Sequence, residues 1–127
     1  MKWEEIRTIH PWLPETSDGW RQHANGGGWV EHCCTVSADS AVDESSIVTW
    51  GSVVINNSVV ANNSRVDHSR VANNSRVDHS RVDHSVVINH STVVNHSTVD
   101  NSIVDNSRVV NNSRVDNSVV ANKGAKR

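Results

Sequence analysis

The chain has 127 residues, no Phe, no Tyr, five Trp and a formal net charge of -2. That length suits one domain, yet the apolar content is mostly valine, which is thin material for an ordinary globular core. The charge argues against nucleic-acid binding. No apolar run is long enough to span a membrane, and the two cysteines, the sequence neighbours Cys33 and Cys34, exclude a disulfide framework.

Residues 1–29 do not repeat and hold Trp3, Trp12, Trp20 and Trp29. The stretch Lys2 to Ile9 predicts one or two helical turns, ended by Pro11 and Pro14. Beyond residue 29 the chain is a stack of repeats, whose first coil exposes an apolar end and unpaired strand edges. Tryptophans suit a cap over that end. The other use of the same aromatics is a ligand pocket. Gly26 to Gly28 lack the Lys-Ser/Thr and the helix of a phosphate loop, so they are expected to be a flexible lead-in to the first strand.

From residue 30 the text is periodic. Val30, Val36, Val42, Val48, Val54, Val60 and Val66 are six apart, and Cys34, Ser40, Ser46, Ser52, Ser58 and Ser64 each follow a valine by four. Self-similarity at a short fixed period signals a solenoid. After Val66 the valines continue at 71, 77, 82, 87, 93, 99, 104, 109, 115 and 120, mixing steps of five and six. The short units from 66, 77, 82, 99, 104 and 115 read Val-Asp-(His/Asn)-Ser. The long units from 54, 60, 71, 87, 93 and 109 read Val-(Ile/Ala/Val)-Asn-(Asn/His)-Ser. Asp is expected to close the tight corner by bonding nearby backbone N–H groups. The long corner is expected to place an extra residue at positive φ, which Asn tolerates.

Unit lengths also predict the winding. Three units per coil put Val66, Val82, Val99 and Val115 on one side, and all four open short units. Two-sided and four-sided windings mix the lengths on every side. At about 4.8 Å per layer the rod is on the order of 27 Å long.

The aliphatic-x-x-x-small-x hexapeptide resembles that of the hexapeptide-repeat proteins, over roughly three quarters of the chain. The resemblance implies an all-β fold, a triangular left-handed parallel β-helix of about 5–6 coils with a Trp-rich N-terminal cap. The implied divisions are a cap over 1–29, the β-helix over 30–122 and a basic tail over 123–127. The tail is expected to fray and to discourage end-to-end stacking. The family also implies homo-oligomers, often trimers. It implies no activity, because transferases, carbonic anhydrases and structural modules share the motif. Acyltransferases of the family use a His at a subunit boundary as general base, and gamma-type carbonic anhydrases bind zinc with three His across one. Neither surrounding loop can be matched here, so no catalytic residue is assigned. The amphipathic C-terminal helix of many family enzymes does not follow the repeat. The stretches HPWLPETSDGW and RQHANGGGWV resemble the leader of small hexapeptide-repeat proteins from bacteria and prophages. With no secretory h-region before the repeat, a cytoplasmic or virion-associated place is expected.

Residues flanking each inward valine point outward. The side with short corners shows Arg65, Asp67, Arg81, Asp83, Thr98, Asp100, Arg114 and Asp116, a charged, solvated face. The next side shows Val53, Ile55, Val86, Ile88, Ile103 and Val119, interrupted mainly by Arg70 and Asp105. An aliphatic stripe on an open face marks an interface, and self-association is expected through those six residues. The plainer explanation is that β-branched residues favour strands. His68 and His84 are expected to stack on one corner in successive coils, and His79 and His96 on another, close enough to share a divalent metal. Against that, Asn101, Asn106 and Asn117 fill equivalent corners, as befits a turn residue. An ice-binding face wants a regular Thr ladder, which Thr92 and Thr98, on different sides, do not make.

The sequence therefore favours a non-enzymatic structural or binding module that self-associates, with no cofactor and with neither nucleic acid nor membrane as partner. The alternative is a minimal acyltransferase-like or metal-binding enzyme with sites between subunits. A crevice between subunits lined by His and the Trp-rich cap favours the alternative. Sealed corners with solvated histidines favour the module.

Overall fold

The structure is a computed structural model that describes residues 2–121 and the backbone of residues 124–126. Among the described residues one short helix, α1 (Trp3–Ile9), precedes nineteen strands numbered β1–β19 in chain order. They form three sheets, so the rod has three walls as the unit lengths predict.

The first wall stacks β1 (Trp20–Gln22), β2 (Trp29–Glu31), β5 (Ile47–Thr49), β8 (Arg65–Asp67), β11 (Arg81–Asp83), β14 (Thr98–Asp100) and β17 (Arg114–Asp116). The second stacks β3 (Thr35–Val36), β6 (Val53–Ile55), β9 (Arg70–Ala72), β12 (Val86–Ile88), β15 (Ile103–Asp105) and β18 (Val119–Ala121). The third stacks β4 (Ala41–Val42), β7 (Val59–Ala61), β10 (Arg76–Asp78), β13 (Thr92–Val94), β16 (Arg108–Val110) and β19 (Gly124–Lys126). Strands from successive coils pair in parallel, valine over valine, as in Val66–Val82–Val99–Val115. β19 continues the third wall beside β16, so the backbone of Gly124–Lys126 follows the sheet. Asn122, the expected last residue of the repeat, and Lys123 and Arg127 of the tail lie outside the described residues.

Valine suffices because each layer buries only its neighbours. The valines from Val42 to Val109 at the inward positions are all fully buried, and Cys34 takes an inward small position beside them. Burial pushes its thiol up to about 12, so it packs as an uncharged small side chain. Val36, in the first coil, is only partly buried. From Ser52 to Ser102 each inward serine is satisfied inside the wall. Its Oγ donates to a carbonyl of its own corner, as Ser85 does to Asp83 O (2.7 Å). The same Oγ accepts the N–H of the serine one coil above, as Ser85 Oγ does from Ser102 (3.0 Å). These ladders pair the buried hydroxyls along the corners, as buried polar groups require.

Corner length is set by left-handed residues. Long corners carry two in succession, such as Asn56 (φ 62°) and Asn57 (φ 61°). Short corners carry one, such as His68 (φ 50°) or Asn101 (φ 50°). Positive φ is thus common to both lengths, not special to the long one. The aspartates of the short units do not close the turn through backbone N–H groups as expected. Asp67 instead meets Arg65 Nη2 at 2.8 Å and His68 Nδ1 at 2.8 Å, and Asp78 and Asp83 make the same pair of contacts. The turn is closed by the serine hydroxyl and the single left-handed residue.

The N-terminal segment covers two surfaces. β1 pairs antiparallel with β2 and shields the lowest edge of the first wall. Residues 23–28 shield the base of the third wall. Gly28 N–H donates to Val42 O (2.8 Å), and Val42 N–H to Asn25 O (3.2 Å). A side chain on Gly28 would collide with Val42 Cγ1 and Asp43 O, so the glycine is there for close approach. The tryptophans sit elsewhere than over the apolar end. Trp3, Trp20 and Trp29 cluster with Ile6, Leu13 and Ile47. Trp29 and Ile47 are outward residues of β2 and β5, so α1 lies on the flank of the first wall. Burying Ile47 completely in this way contributes roughly 2 kcal/mol.

Candidate interaction surface

On the second wall the outward residues form two columns. One runs Val53, Arg70, Val86, Ile103, Val119, and the other Ile55, Ala72, Ile88, Asp105, Ala121. Val53, Ile55, Val86 and Ile88 are half-buried among their neighbours, whereas Ile103 is 39% and Val119 64% exposed. All six residues expected at the interface therefore share one wall. Arg70 is exposed one strand below Val86, and Asp105 lies one strand above Ile88. Asp105 Oδ1 accepts a hydrogen bond from Asn89 Nδ2 (2.8 Å). A shallow groove of about 610 Å³ runs beside this wall, with His68, His84 and Asn101 on one bank and Val86, Ile103 and Val119 on the other.

At the corner between the first and second walls the structure brings His68 and His84 together, with ring centroids 4.4 Å apart and planes 7° from parallel. Trp50 extends the stack below, 5.3 Å from His68. Trp50 escaped the sequence reading, although its place in the unit from Val48 is that of the histidines in later units. His68 Nδ1 lies 2.8 Å from Asp67 Oδ1, and His84 Nδ1 2.7 Å from Asp83 Oδ1. Neither approach has hydrogen-bond geometry: Asp67 Oδ1 and Asp83 Oδ1 are buried without a hydrogen-bond partner, unlike Asp78, which bonds His79. Ligand atoms of His68, Asp83 and His84 lie within 4.8 Å of one another. Parallel rings aim their lone pairs in parallel, so a shared ion requires the two imidazoles to tilt toward it.

The other pair, His79 and His96, sits on the corner between the third and first walls, 5.6 Å apart and tilted by 52°. Asp78 holds His79 Nδ1 at 3.0 Å. Burial opposes ionisation of Asp78, but hydrogen bonds from Asn62, Arg76 and His79 outweigh it and lower its pKa. Between this corner and residues 9–12 lies a crevice of about 520 Å³, lined by His10, Trp12, Arg65, His79, Arg81 and His96. Its cations are already engaged. Arg65 lies over the Trp12 ring at 3.9 Å and pairs with Asp67, and Arg81 Nη2 meets Asp83 at 3.3 Å. Burial lowers the pKa of His10, whose Nε2 lies 3.0 Å from Ser45 O. This crevice of His and Trp is formed within one chain, whereas the enzymatic alternative places such a crevice between subunits.

Glu31, Cys33 and Cys34 also bring potential ligand atoms within 4.8 Å. Those atoms have structural duties. Glu31 Oε1 accepts from Trp50 N–H (2.8 Å) and Thr49 Oγ1 (2.9 Å), and Cys33 Sγ accepts from Gly51 N–H (3.2 Å).

Compared with known proteins, the chain matches no family description, no curated protein and no solved structure. Its class is defined by the fold: a parallel β-solenoid with three walls and a Trp-rich N-terminal segment. That architecture is consistent with a β-helix of the hexapeptide-repeat type. No helix among the described residues is long and apolar enough to cross a membrane.

Proposed function

We propose that this β-solenoid is a non-enzymatic structural or binding module of the hexapeptide-repeat superfamily, of bacterial or prophage origin, that self-associates through its second wall. The observation that carries the reading is the aliphatic face itself: Val53, Ile55, Val86, Ile88, Ile103 and Val119 on one wall, with Ile103 and Val119 open to solvent. An aliphatic stripe of this kind on a flat wall gains by being covered. Fully burying such a side chain contributes about 2 kcal/mol. The strands of the second wall from β6 upward are three residues long, so the wall is narrow against a standard interface of about 800 Å² per partner and association of modest affinity is expected.

Sedimentation equilibrium over a concentration series from micromolar to sub-millimolar tests this. The expected result is a reversible oligomer that Val119→Lys and Ile103→Lys convert to monomer with unchanged circular dichroism. A monomer throughout the series removes the proposal.

A second reading has one specific observation behind it. One potential ligand atom each from His68, Asp83 and His84 lies within 4.8 Å of the others, on an exposed corner where two imidazoles stack. On this reading the first corner holds zinc or nickel. Titration calorimetry of the wild type against His84→Asn should show heat only for the former. No heat with either metal ends it.

A further inference from the structure

The self-association proposed above leaves open how two copies face each other, and the two charges of the second wall discriminate between the choices. Arg70 and Asp105 lie diagonally across Val87, one strand below and one strand above, in opposite columns. For two walls packed face to face with strands nearly aligned, the two-fold axis runs either along the rod or along the strands.

An axis along the rod keeps both copies pointing the same way and exchanges the columns. Each Arg70 then stands level with the partner's Arg70, about 6.6 Å away along the strand direction, and each Asp105 stands likewise by Asp105. An axis along the strands turns one rod upside down and keeps the columns. Arg70 then stands level with the partner's Asp105 in the neighbouring column, within reach of an arginine side chain. The two arginines are separated by two strand spacings, about 9.6 Å. Val86 faces Val86 and Ile88 faces Ile88 on the axis, with Val53 and Ile55 over the upper aliphatics of the partner.

We propose that two copies of this chain dock second wall to second wall as an antiparallel dimer centred on β12, with reciprocal Arg70–Asp105 pairs flanking an aliphatic centre. This rests on the self-association reading and specifies its geometry. The aliphatic residues supply the attraction. The two charges select orientation, because like charges brought together cost more than opposite charges gain.

Sedimentation velocity on the full chain tests the arrangement, with circular dichroism melts confirming that each variant folds. The wild type is expected to form dimers. Arg70→Glu, and separately Asp105→Arg, should weaken dimerisation by at least about tenfold. The double variant carrying Arg70→Asp and Asp105→Arg should recover to within about threefold of the wild type. Arg70→Ala adds the sign: it weakens an antiparallel dimer and strengthens a parallel one by removing a repulsion. A wild type that stays monomeric defeats the self-association reading itself. A wild type that associates, but as a trimer, or with Arg70→Ala tightening it, or without rescue by the double variant, leaves that reading standing and overturns the antiparallel arrangement.

Discussion

The base of the rod and the repeat above it share one valine core but turn their corners differently. The first three corners close by a backbone bond across the turn: Cys34 N–H to Glu31 O (2.9 Å), Ser40 to Ser37 (3.0 Å) and Ser46 to Asp43 (3.0 Å). No left-handed residue occurs there, whereas every later corner among the described residues has one or two. Where left-handed corners stack, the amide of one meets a carbonyl of the corner below, as His90 does with Asn73 O (2.9 Å) and Asn112 with Asn95 O (2.9 Å). Where a left-handed corner sits on a base corner, that carbonyl is not presented, and side chains receive the amides instead. Glu31 accepts from Trp50, and Asp43 accepts from Asn62 (2.9 Å). Asp39 is lowered in pKa chiefly by Ser37 and also by the backbone amide of Asn57. One carboxylate per corner thus joins two incompatible turn types. A solenoid can change its corner geometry where side chains replace the lost ladder bonds.

The largest test of that contrast compares two aspartates. Asp43 accepts from the N–H of Asn62 and Ser45 and from the hydroxyls of Ser45 and Ser46, all at about 3 Å. Asp43→Ala should cost about 3 kcal/mol, since charged hydrogen bonds are lost and the amides they satisfied are left without them. Among the described residues the Asp83 carboxylate pairs with Arg81 and His84, both half exposed, and attracts Arg65 at longer range. Asp83→Ala should cost at most about 1 kcal/mol. Urea unfolding of both variants checks this, and equal losses break the distinction between adapter and ornament.

Acid should separate the two regions next. Burial opposes ionisation of Glu31 and Asp43, but the amide and hydroxyl donors outweigh it, so both lie below the ordinary carboxylate range, as does Asp39. A depressed folded-state pKa contributes stability above the unfolded value and loses it as pH falls through the folded one. Among the aspartates of the repeat, Asp78 shares this depression. Below about pH 4 the base should therefore lose amide protection before the upper coils do. Hydrogen exchange of the Trp50, Asn57 and Asn62 amides against those of His90 and Asn112 reads the order, and simultaneous loss contradicts it.

The three walls, the alignment of short corners, the inward valines and serines and the His68–His84 stack were legible in the sequence because each depends on a residue type recurring at a fixed interval. The adapters were not, since Glu31, Asp39 and Asp43 each act once, between unlike corners, and periodicity is blind to an event that happens once. The role of Asp in short units was misread for a related reason. A local turn rule favours bonds to backbone N–H groups, but Arg two residues earlier and His one residue later offered charged partners. The tryptophans suited an end cap on size alone. Their actual seat on the flank of the first wall follows from Trp29 and Ile47 being the outward residues of β2 and β5, which offer an apolar patch where later strands offer Arg and Asp.

The smallest expected effect probes the corner backbone directly. Asn101 and His32 both follow strands of the first wall, one in the repeat and one at the base, and both are exposed. Asn101 has φ 50°, a conformation that places Cβ too near the following carbonyl for most residues, while His32 is not left-handed. Asn101→Ala should therefore cost about 1 kcal/mol, and Asn101→Gly should restore most of it, because glycine enters this region freely. His32→Ala should change stability by less than about 0.5 kcal/mol. Thermal melts of the three variants suffice. If alanine is tolerated equally at both positions, the left-handed residue is a consequence of corner length and not its cause, and the difference between base and repeat rests on the carboxylate adapters alone.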